Sequence, residues 1–504
     1  MQLATVYTRA LTGIKAPVVT VEVHISSGLP ALSIVGLPEA AVRESKDRVR
    51  AAIINSHFEF PARKITVNLA PADLPKTGGR YDLPIALGIL AASEQINSDL
   101  LPSHEFHGEL ALSGQLRPVN GCLPVAIAAQ NSGRTLILPT ASAIEAALVK
   151  NIGVKAADNL LSICQYLQQQ GDLEAPALKT TEIRSHSQIH DMSEVRGQHL
   201  ARRALEISAA GRHNLLMVGP PGTGKSMLAT RLAGILPPMT EQQALESASV
   251  NSISFQGFDI NNWKCRPFRA PHHTASGVAL VGGGSNPSPG EISLAHHGVL
   301  FLDELTEFDR HVLDVLREPL ETGSITISRA ARQAEFPASF QLIAAMNPCP
   351  QGYSCDGHLL CQCTPDQQKR HLGRISAPLL DRIDIHIEVP RLDKSALDPD
   401  KPQGESSATI RKRIVTAYQK QLLRSNKSNG ELTAREVERY CPINKQDKHL
   451  LEQAMDKFKL SARAYHRILK LARTIADISE SEQIEAHHLT EAITYRCLDR
   501  FNNH

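Results

Sequence analysis

Aromatic residues are scarce, with Phe, Trp and Tyr making up only 4% of the 504 residues against 42% apolar residues in all. That balance is ordinary for a soluble α/β protein rich in Ala, Leu and Ile, and the length allows about three domains with a sizeable core. A surplus of one charge is also missing. The chain carries 54 Lys+Arg against 52 Asp+Glu, a formal charge of +2, so no global field draws it to nucleic acid. Any DNA contact must come from a local basic surface. The N-terminal stretch MQLATVYTRALTGIKAPVVTVEVHI has no basic region followed by a long apolar block, and no later run reaches membrane-spanning length. A cytoplasmic protein without a membrane partner is expected. Cysteine is present but not as a disulfide framework: the nine are odd in number, and most stand alone.

What is there is an alternation of strand-like and helix-like runs. Residues 1–167 (VVTVEVHI, KITVNLA and LILP between helical stretches) read as a compact α/β domain. The polar segment 168–188 reads as a linker. Residues 189–392 alternate apolar strands such as LLMV, VLFLDE and FQLIAAMNP with helices, as expected for a parallel sheet covered on both faces. After a second break, residues 393–504 read as a helical bundle acting as a lid.

GPPGTGKS (219–226) fits the phosphate-binding pattern G-x-x-x-x-G-K-[ST] between the strand LLMV and a helix-like MLATRLAGIL. Gly219, Pro220, Pro221, Gly222, Thr223 and Gly224 form the loop whose amides converge on phosphate oxygens. Lys225 neutralises the β- and γ-phosphates, and Ser226 can ligate Mg²⁺. ATP and Mg²⁺ are therefore the expected cofactors. Downstream, GVLFLDE (298–304) is a buried strand ending in two acids: Asp303 would hold Mg²⁺ through water and Glu304 would polarise the attacking water. Either acid alone could be a helix cap. AAMNP (344–348) ends another strand with Asn347, a polar side chain suited to a γ-phosphate or water.

The order DMSEVRGQ (191–198), GPPGTGKS, GVLFLDE, AAMNP, LLDRIDIHIEVP (379–390) and SARAYHRILKLARTIADI (461–478) resembles the AAA+ ATPases of the magnesium-chelatase-like group. The resemblance implies a ring, usually a homohexamer, with ATP sites at subunit borders. By motif, Asn347 corresponds to a first sensor, Arg382 to an arginine finger reaching a neighbour's γ-phosphate, and Arg463 to a second sensor from the helical lid; Arg374 is a lesser finger candidate. A fixed guanidinium stabilises the charge that spreads over phosphate oxygens during hydrolysis. Without the motif, Arg382 reads as a surface partner of Asp381 or Asp384.

Residues 1–165 resemble the domain shared by Lon proteases and the DNA-repair protein RadA. PADLPKTGGRYDLPIALGIL (71–90) parallels the Lon segment with the nucleophilic serine, and GELALSGQLRPVNGCLPVAIAA (108–129) the one with its lysine partner. Here the serine position holds Arg80 and the lysine position Leu123, so neither a hydroxyl nor a base remains and proteolysis is excluded. Lys76 reads as a solvated residue or a phosphate contact. RPFRAPHHTASGVALVGGG (266–284) and GEISLAHHGVLFLDEL (290–305) are close to the YifB/ComM family, whose ComM-type members are branch-migration helicases of natural transformation. That implies DNA, single-stranded, forked or branched, as the partner, with recombination proteins nearby. A polypeptide-remodelling ATPase is the alternative.

ETGSITISRAARQAEFPASFQLIAAMNP (321–348) holds two β-capable runs, ITIS and FQLIA, around a basic tip. In related ring helicases a hairpin here enters the channel, where Arg329 and Arg332 would meet DNA phosphates; a solvated surface hairpin is the alternative. Arg266, Arg269, His272 and His273 flank one Phe, and the two histidines, expected to point apart on an extended segment, suit an interface better than a metal. Cys349, Cys355, Cys361 and Cys363 are crowded enough to close a Zn²⁺ site, with reduced thiols the alternative.

Overall fold

The computed structural model describes residues 3–176, 190–284, 287–329, 332–352, 363–391, 404–458 and 460–496. The chain divides into two compact units, one of residues 1–183 with 248–263, the other of residues 184–247 with 264–504.

Strict alternation in VVTVEVHIS buries Val19, Val21, Val23 and Ile25 and turns the intervening residues outward, which makes Val18–Ser26 a strand with one buried face. It belongs to a seven-stranded sheet made of β1 (Leu3–Arg9), β2 (Val18–Ser26), β3 (Ala31–Val35), β4 (Lys64–Ala70), β5 (His104–Phe106), β6 (Thr135–Pro139) and β7 (Val154–Ala157), in the order β3-β4-β2-β1-β5-β6-β7. The ladder between β1 and β5 is a single pair, Tyr7 with Glu105. A buried ion pair reinforces it: Arg9 donates to both Glu105 oxygens at 2.6 and 2.7 Å, and its remaining N–H groups reach Ala16 O and Ser132 Oγ. All three guanidinium nitrogens have an acceptor, which compensates the burial of this pair. The apolar helix Asp82–Ala92 packs on β1 and β2. A Cβ at Gly88 would stand 2.5 Å from Val23 Cγ2, so close packing offsets the roughly 1 kcal/mol that glycine costs a helix. Residues 168–176 continue onto this unit, with Leu173 buried and Glu174 O accepting from Ala156 N at 2.9 Å.

In the second unit the strands LLMV and VLFL are wholly apolar and wholly buried, as expected where both faces are covered. The sheet comprises β8 (Leu215–Val218), β9 (Phe268–Arg269), β12 (Val299–Leu302), β15 (Gln341–Met346) and β16 (Ile385–Glu388); two hairpins, β10 (Gly282–Gly283) with β11 (Ser288–Pro289) and β13 (Ser324–Arg329) with β14 (Arg332–Pro337), lie outside it. Its order is β9-β12-β15-β8-β16, parallel throughout. The C-terminal ends of β8, β15 and β12 are therefore neighbours, and they carry the phosphate loop, Asn347 and the Asp303–Glu304 pair. The helix Ala462–Ile478, N-capped by Ser461, buries Ile468, Leu471, Ala472 and Ile475 in the same core as β8 and β15. Each of the buried Ile and Leu side chains contributes about 1.5–3 kcal/mol.

The pairing expected for ITIS is corrected. Its partner is RQAEFP, with Arg329 opposite Arg332 as the last register pair, while FQLIA supplies the central strand β15. The hairpin buries Ile325, Ile327, Ala334 and Phe336 on one face, and a fully apolar run would have left the other face with nothing to exclude it from water. Residues 330–331 and the side chains of Arg329 and Arg332 lie outside the described residues. Among the described residues, no helix is long and apolar enough to cross a membrane.

Candidate nucleotide site

Gly219 follows β8 directly and its N–H donates to Met346 O at 3.2 Å; a Cβ there would stand 2.3 Å from Val389 O, so only glycine fits between the strand ends. Gly222 and Gly224 have φ of 78° and 84°, the left-handed region that frees the loop to turn its amides inward. The helix Lys225–Ile235 begins at Gly224 with no side-chain cap, leaving its first N–H groups for an anion. Pro220 and Thr223 brace the loop, Thr223 Oγ1 donating to Pro220 O at 3.0 Å, while Pro221 and Gly222 are exposed.

The Lys225 ammonium donates to Gly219 O at 2.7 Å, Pro220 O at 2.9 Å and Asn347 Oδ1 at 3.1 Å. Burial lowers its pKa, opposed by the fields of Asp303 and Glu304. Ser226 Oγ donates to Asp303 Oδ2 at 2.5 Å, which sets two hard oxygen ligands side by side, a donor set that fits Mg²⁺. The other Asp303 oxygen accepts from Glu304 N at 2.9 Å. Glu304 is left-handed, at φ 52° and ψ 49°, a conformation costly for a residue with a side chain. Its Oε2 lies 3.1 Å from His273 Nδ1. Asn347 is itself anchored through its carbonyl, which accepts from His371 Nε2 at 3.1 Å. Two side chains of the site were not assigned to it from sequence: His371, and Gln198, whose Nε2 donates to Thr223 O at 2.6 Å. Gln198 had a signal in the quoted VRGQ string; His371 had none.

Arg382 and Arg463 are elsewhere. Asn214, the residue before β8, donates to Arg382 O at 3.0 Å, so Arg382 lies at the N-terminal edge of the sheet. The four residues of β8 put about 13 Å between that edge and the phosphate loop. Arg382 is buried, donates to Pro378 O at 2.6 Å and pairs with Glu321 rather than with Asp381 or Asp384. Arg463 stands 3.7 Å from Asp381. Both line a cleft of about 610 Å³ that Arg212, Arg467, Lys470 and Asp384 also face. Burial would raise the Asp384 carboxyl, but Arg467, His213 and Lys470 hold it below its ordinary range. Arg374 lies beside Thr306, donating to its carbonyl at 2.8 Å.

Three further expectations meet the structure here. His272 and His273 do not point apart: a turn from His272 O to Ala275 N replaces the extended backbone, and the rings lie 4.1 Å apart. Lys76 is not solvated but fully buried against Pro71 O, and burial lowers its pKa. In the first unit the two Lon-like segments are joined by Gly108 N to Arg80 O at 3.2 Å, and Leu123 is fully buried. Cys349 is buried and Cys363 partly so, whereas Cys355 and Cys361 lie outside the described residues. A different trio, Glu246, His296 and His297, gathers its ligand atoms within 4.8 Å. His296 Nδ1 accepts from Ser339 N at 3.0 Å, however, which places the ring proton on Nε2, the atom facing Glu246. The trio is a hydrogen-bonded knot rather than a metal cage.

A parallel sheet with a phosphate loop after its inner strand, an acidic pair and an asparagine on the neighbouring strand ends, and a packed helical C-terminal region define an AAA+ P-loop class. Comparison with known proteins makes this specific. Residues 191–397 match the family "Magnesium chelatase, subunit ChlI", residues 21–142 "Subunit ChlI of Mg-chelatase" and residues 404–496 "Magnesium chelatase, subunit ChlI C-terminal". The chain is 52% identical to the competence protein ComM of Haemophilus influenzae over 99% of this chain and 98% of that protein. It is 51% identical to YifB of Salmonella typhimurium over 100% and 99%. With the magnesium-chelatase 38 kDa subunit of Cereibacter sphaeroides it shares 26% identity over 39% of this chain and 58% of that subunit. The chain belongs to the magnesium-chelatase-like AAA+ ATPases and, within them, to the YifB/ComM family.

Proposed function

We propose that this chain is an ATP-driven DNA motor that assembles as a homohexameric ring in the cytoplasm and promotes branch migration of DNA junctions during recombination in natural transformation. The observation that carries the assembly is the separation of the two half-sites. Lys225, Ser226, Asp303, Glu304 and Asn347 converge at one edge of the sheet, while Arg382 and Arg463 share a cleft at the other. A finger at the far edge serves a neighbour's nucleotide, so turnover depends on the ring. Arg463 then acts on the neighbour together with Arg382.

Bound ATP with Mg²⁺ supplies the electrophilic γ-phosphoryl group. Lys225 exchanges its contacts with Gly219, Pro220 and Asn347 for phosphate oxygens, Ser226 and Asp303 hold the metal, and Glu304 orients the attacking water. The basic hairpin β13–β14 carries the load by meeting DNA phosphates through Arg329 and Arg332, contacts without sequence preference. The near-complete match to a competence protein supports DNA over polypeptide as cargo. The test compares ATP turnover with forked or single-stranded DNA against turnover with an unfolded protein. Stimulation by DNA alone is expected, and stimulation by unfolded protein alone would move the chain to the remodelling class.

A further inference from the structure

Among the described residues every Phe, Tyr and Trp but one is at least partly buried. The exception is Phe255, which is 99% exposed. It stands in NSISFQGFDINNW (251–263), a segment that belongs to the first compact unit and holds the only Trp of the chain.

A fixed turn holds the ring outward. Ser252 is buried and its carbonyl accepts from Gly121 N at 3.0 Å, which ties the segment to its unit. Ser254 N and Oγ both donate to Asn251 O, at 3.0 and 2.7 Å, and Gly257 N donates to Ser254 O at 3.1 Å. That last bond closes a β-turn with Phe255 at its second position, and Gly257 takes the left-handed φ of 70° that lets the chain leave it. Beyond the turn, Phe258 and Trp263 meet edge to face with centroids 6.5 Å apart, and Asp259 caps the short helical turn Ile260–Asn262 by accepting from Asn261 N at 3.0 Å.

One ring is too small a surface for a stable protein interface, which buries about 1,200–2,000 Å². Within 251–263 Phe255 is the only largely exposed hydrophobe, and the side chains around it are amides: Gln256 and Asn262 are exposed, and Asn120 Oδ1 comes within 3.9 Å of a Cβ placed at Gly257. An accessible ring among amides matches a nucleobase, which has a flat face to stack and polar edges that both donate and accept. The segment carries a single charge, that of Asp259, so it is suited to a base rather than to a phosphate.

We propose that Phe255 is a stacking site for an unpaired base of DNA. This rests on the reading of DNA as the cargo, and on no residue of the nucleotide site or of the hairpin β13–β14. A base stacked there is withheld from its former partner, which favours the exchange of strands at a junction.

The experiment measures the affinity of the full-length chain, by fluorescence anisotropy, for two single-stranded oligonucleotides of equal length and charge, one of mixed sequence and one with abasic sites in place of its central bases. The parent should bind the mixed sequence more tightly. Phe255→Ala should weaken that binding by about 5- to 100-fold, the range for one lost base stack, and should bind the abasic strand like the parent. The slope of log affinity against log salt should stay unchanged, because no phosphate contact is lost. Phe255→Tyr should keep the parent's affinity and Phe255→Leu should behave like the Ala variant, since stacking needs a ring and not merely an apolar side chain. Parent-like affinity in Phe255→Ala or in Phe255→Leu overturns the proposal. A smaller assembly mass for Phe255→Ala in light scattering also overturns it and assigns the ring to a contact between subunits. DNA binding that is the same in the parent and all three variants sinks the stacking site alone, whereas a parent that binds neither oligonucleotide sinks the cargo reading and the stacking site with it.

Discussion

The ammonium of Lys225 and the amide oxygen of Asn347 stand 3.1 Å apart, joining the phosphate loop to the strand end beside it. The contact exists because β8 and β15 are adjacent and parallel, so their C-terminal ends face one ligand position.

Replacing Lys225 by Ala should therefore weaken ATP binding, measured with a fluorescent nucleotide. Glu304→Gln should retain binding and lose turnover by about 10²-fold or more, the usual scale for a positioned acid–base group. Full turnover in Glu304→Gln would refute the assignment of the hydrolytic acid.

Arg382→Ala and Arg463→Ala should each bind ATP like the parent, since both sit at the far edge of their own sheet. Removing the finger should cost about 10³-fold in turnover or more. Mixing Arg382→Ala with Lys225→Ala subunits should restore part of the activity, because some borders then pair an intact loop with an intact finger. Absence of any restoration would place the whole site within one chain.

Arg329→Ala with Arg332→Ala should spare DNA-free hydrolysis while lowering DNA affinity. The slope of log affinity against log salt should flatten by up to about two units, roughly one for each lost phosphate contact. An unchanged slope would remove the hairpin from the DNA path.

Stability should depend on pH through His296, whose pKa burial lowers to about 4. The unfolded chain takes up this proton first, near 6.5, so stability is full above that value, declines as the pH falls toward 4 and then levels. The loss attributable to this ring is up to about 3 kcal/mol. His296→Gln should flatten this part of the profile in denaturant titrations at pH 7, 5.5 and 4.5.

Much of the nucleotide site was legible because its parts are local: LLMV, VLFLDE and AAMN are apolar runs that end in polar groups, and strand ends carry chemistry in parallel sheets. The glycines of the loop announce their own backbone requirements. What was not legible depends on strand order and on packing across the fold. RQAEFP alternates weakly enough that the stronger run FQLIA looked like the partner of ITIS. The place of Arg382 follows from Asn214 preceding β8, which no local pattern states. His273 and Lys76 were misjudged for one reason: their partners, Glu304 and the carbonyl of Pro71, are set by turns whose geometry composition does not reveal.

The central claim is that ATP hydrolysis at a site shared between subunits moves DNA. Its most direct test follows strand exchange in a four-way junction with one labelled arm, using purified parent protein and the Glu304→Gln variant with ATP and Mg²⁺. The account predicts junction resolution into two duplexes by the parent, none by Glu304→Gln, and equal junction binding by both. Hydrolysis by the parent at full rate with the junction bound but unmoved would contradict it.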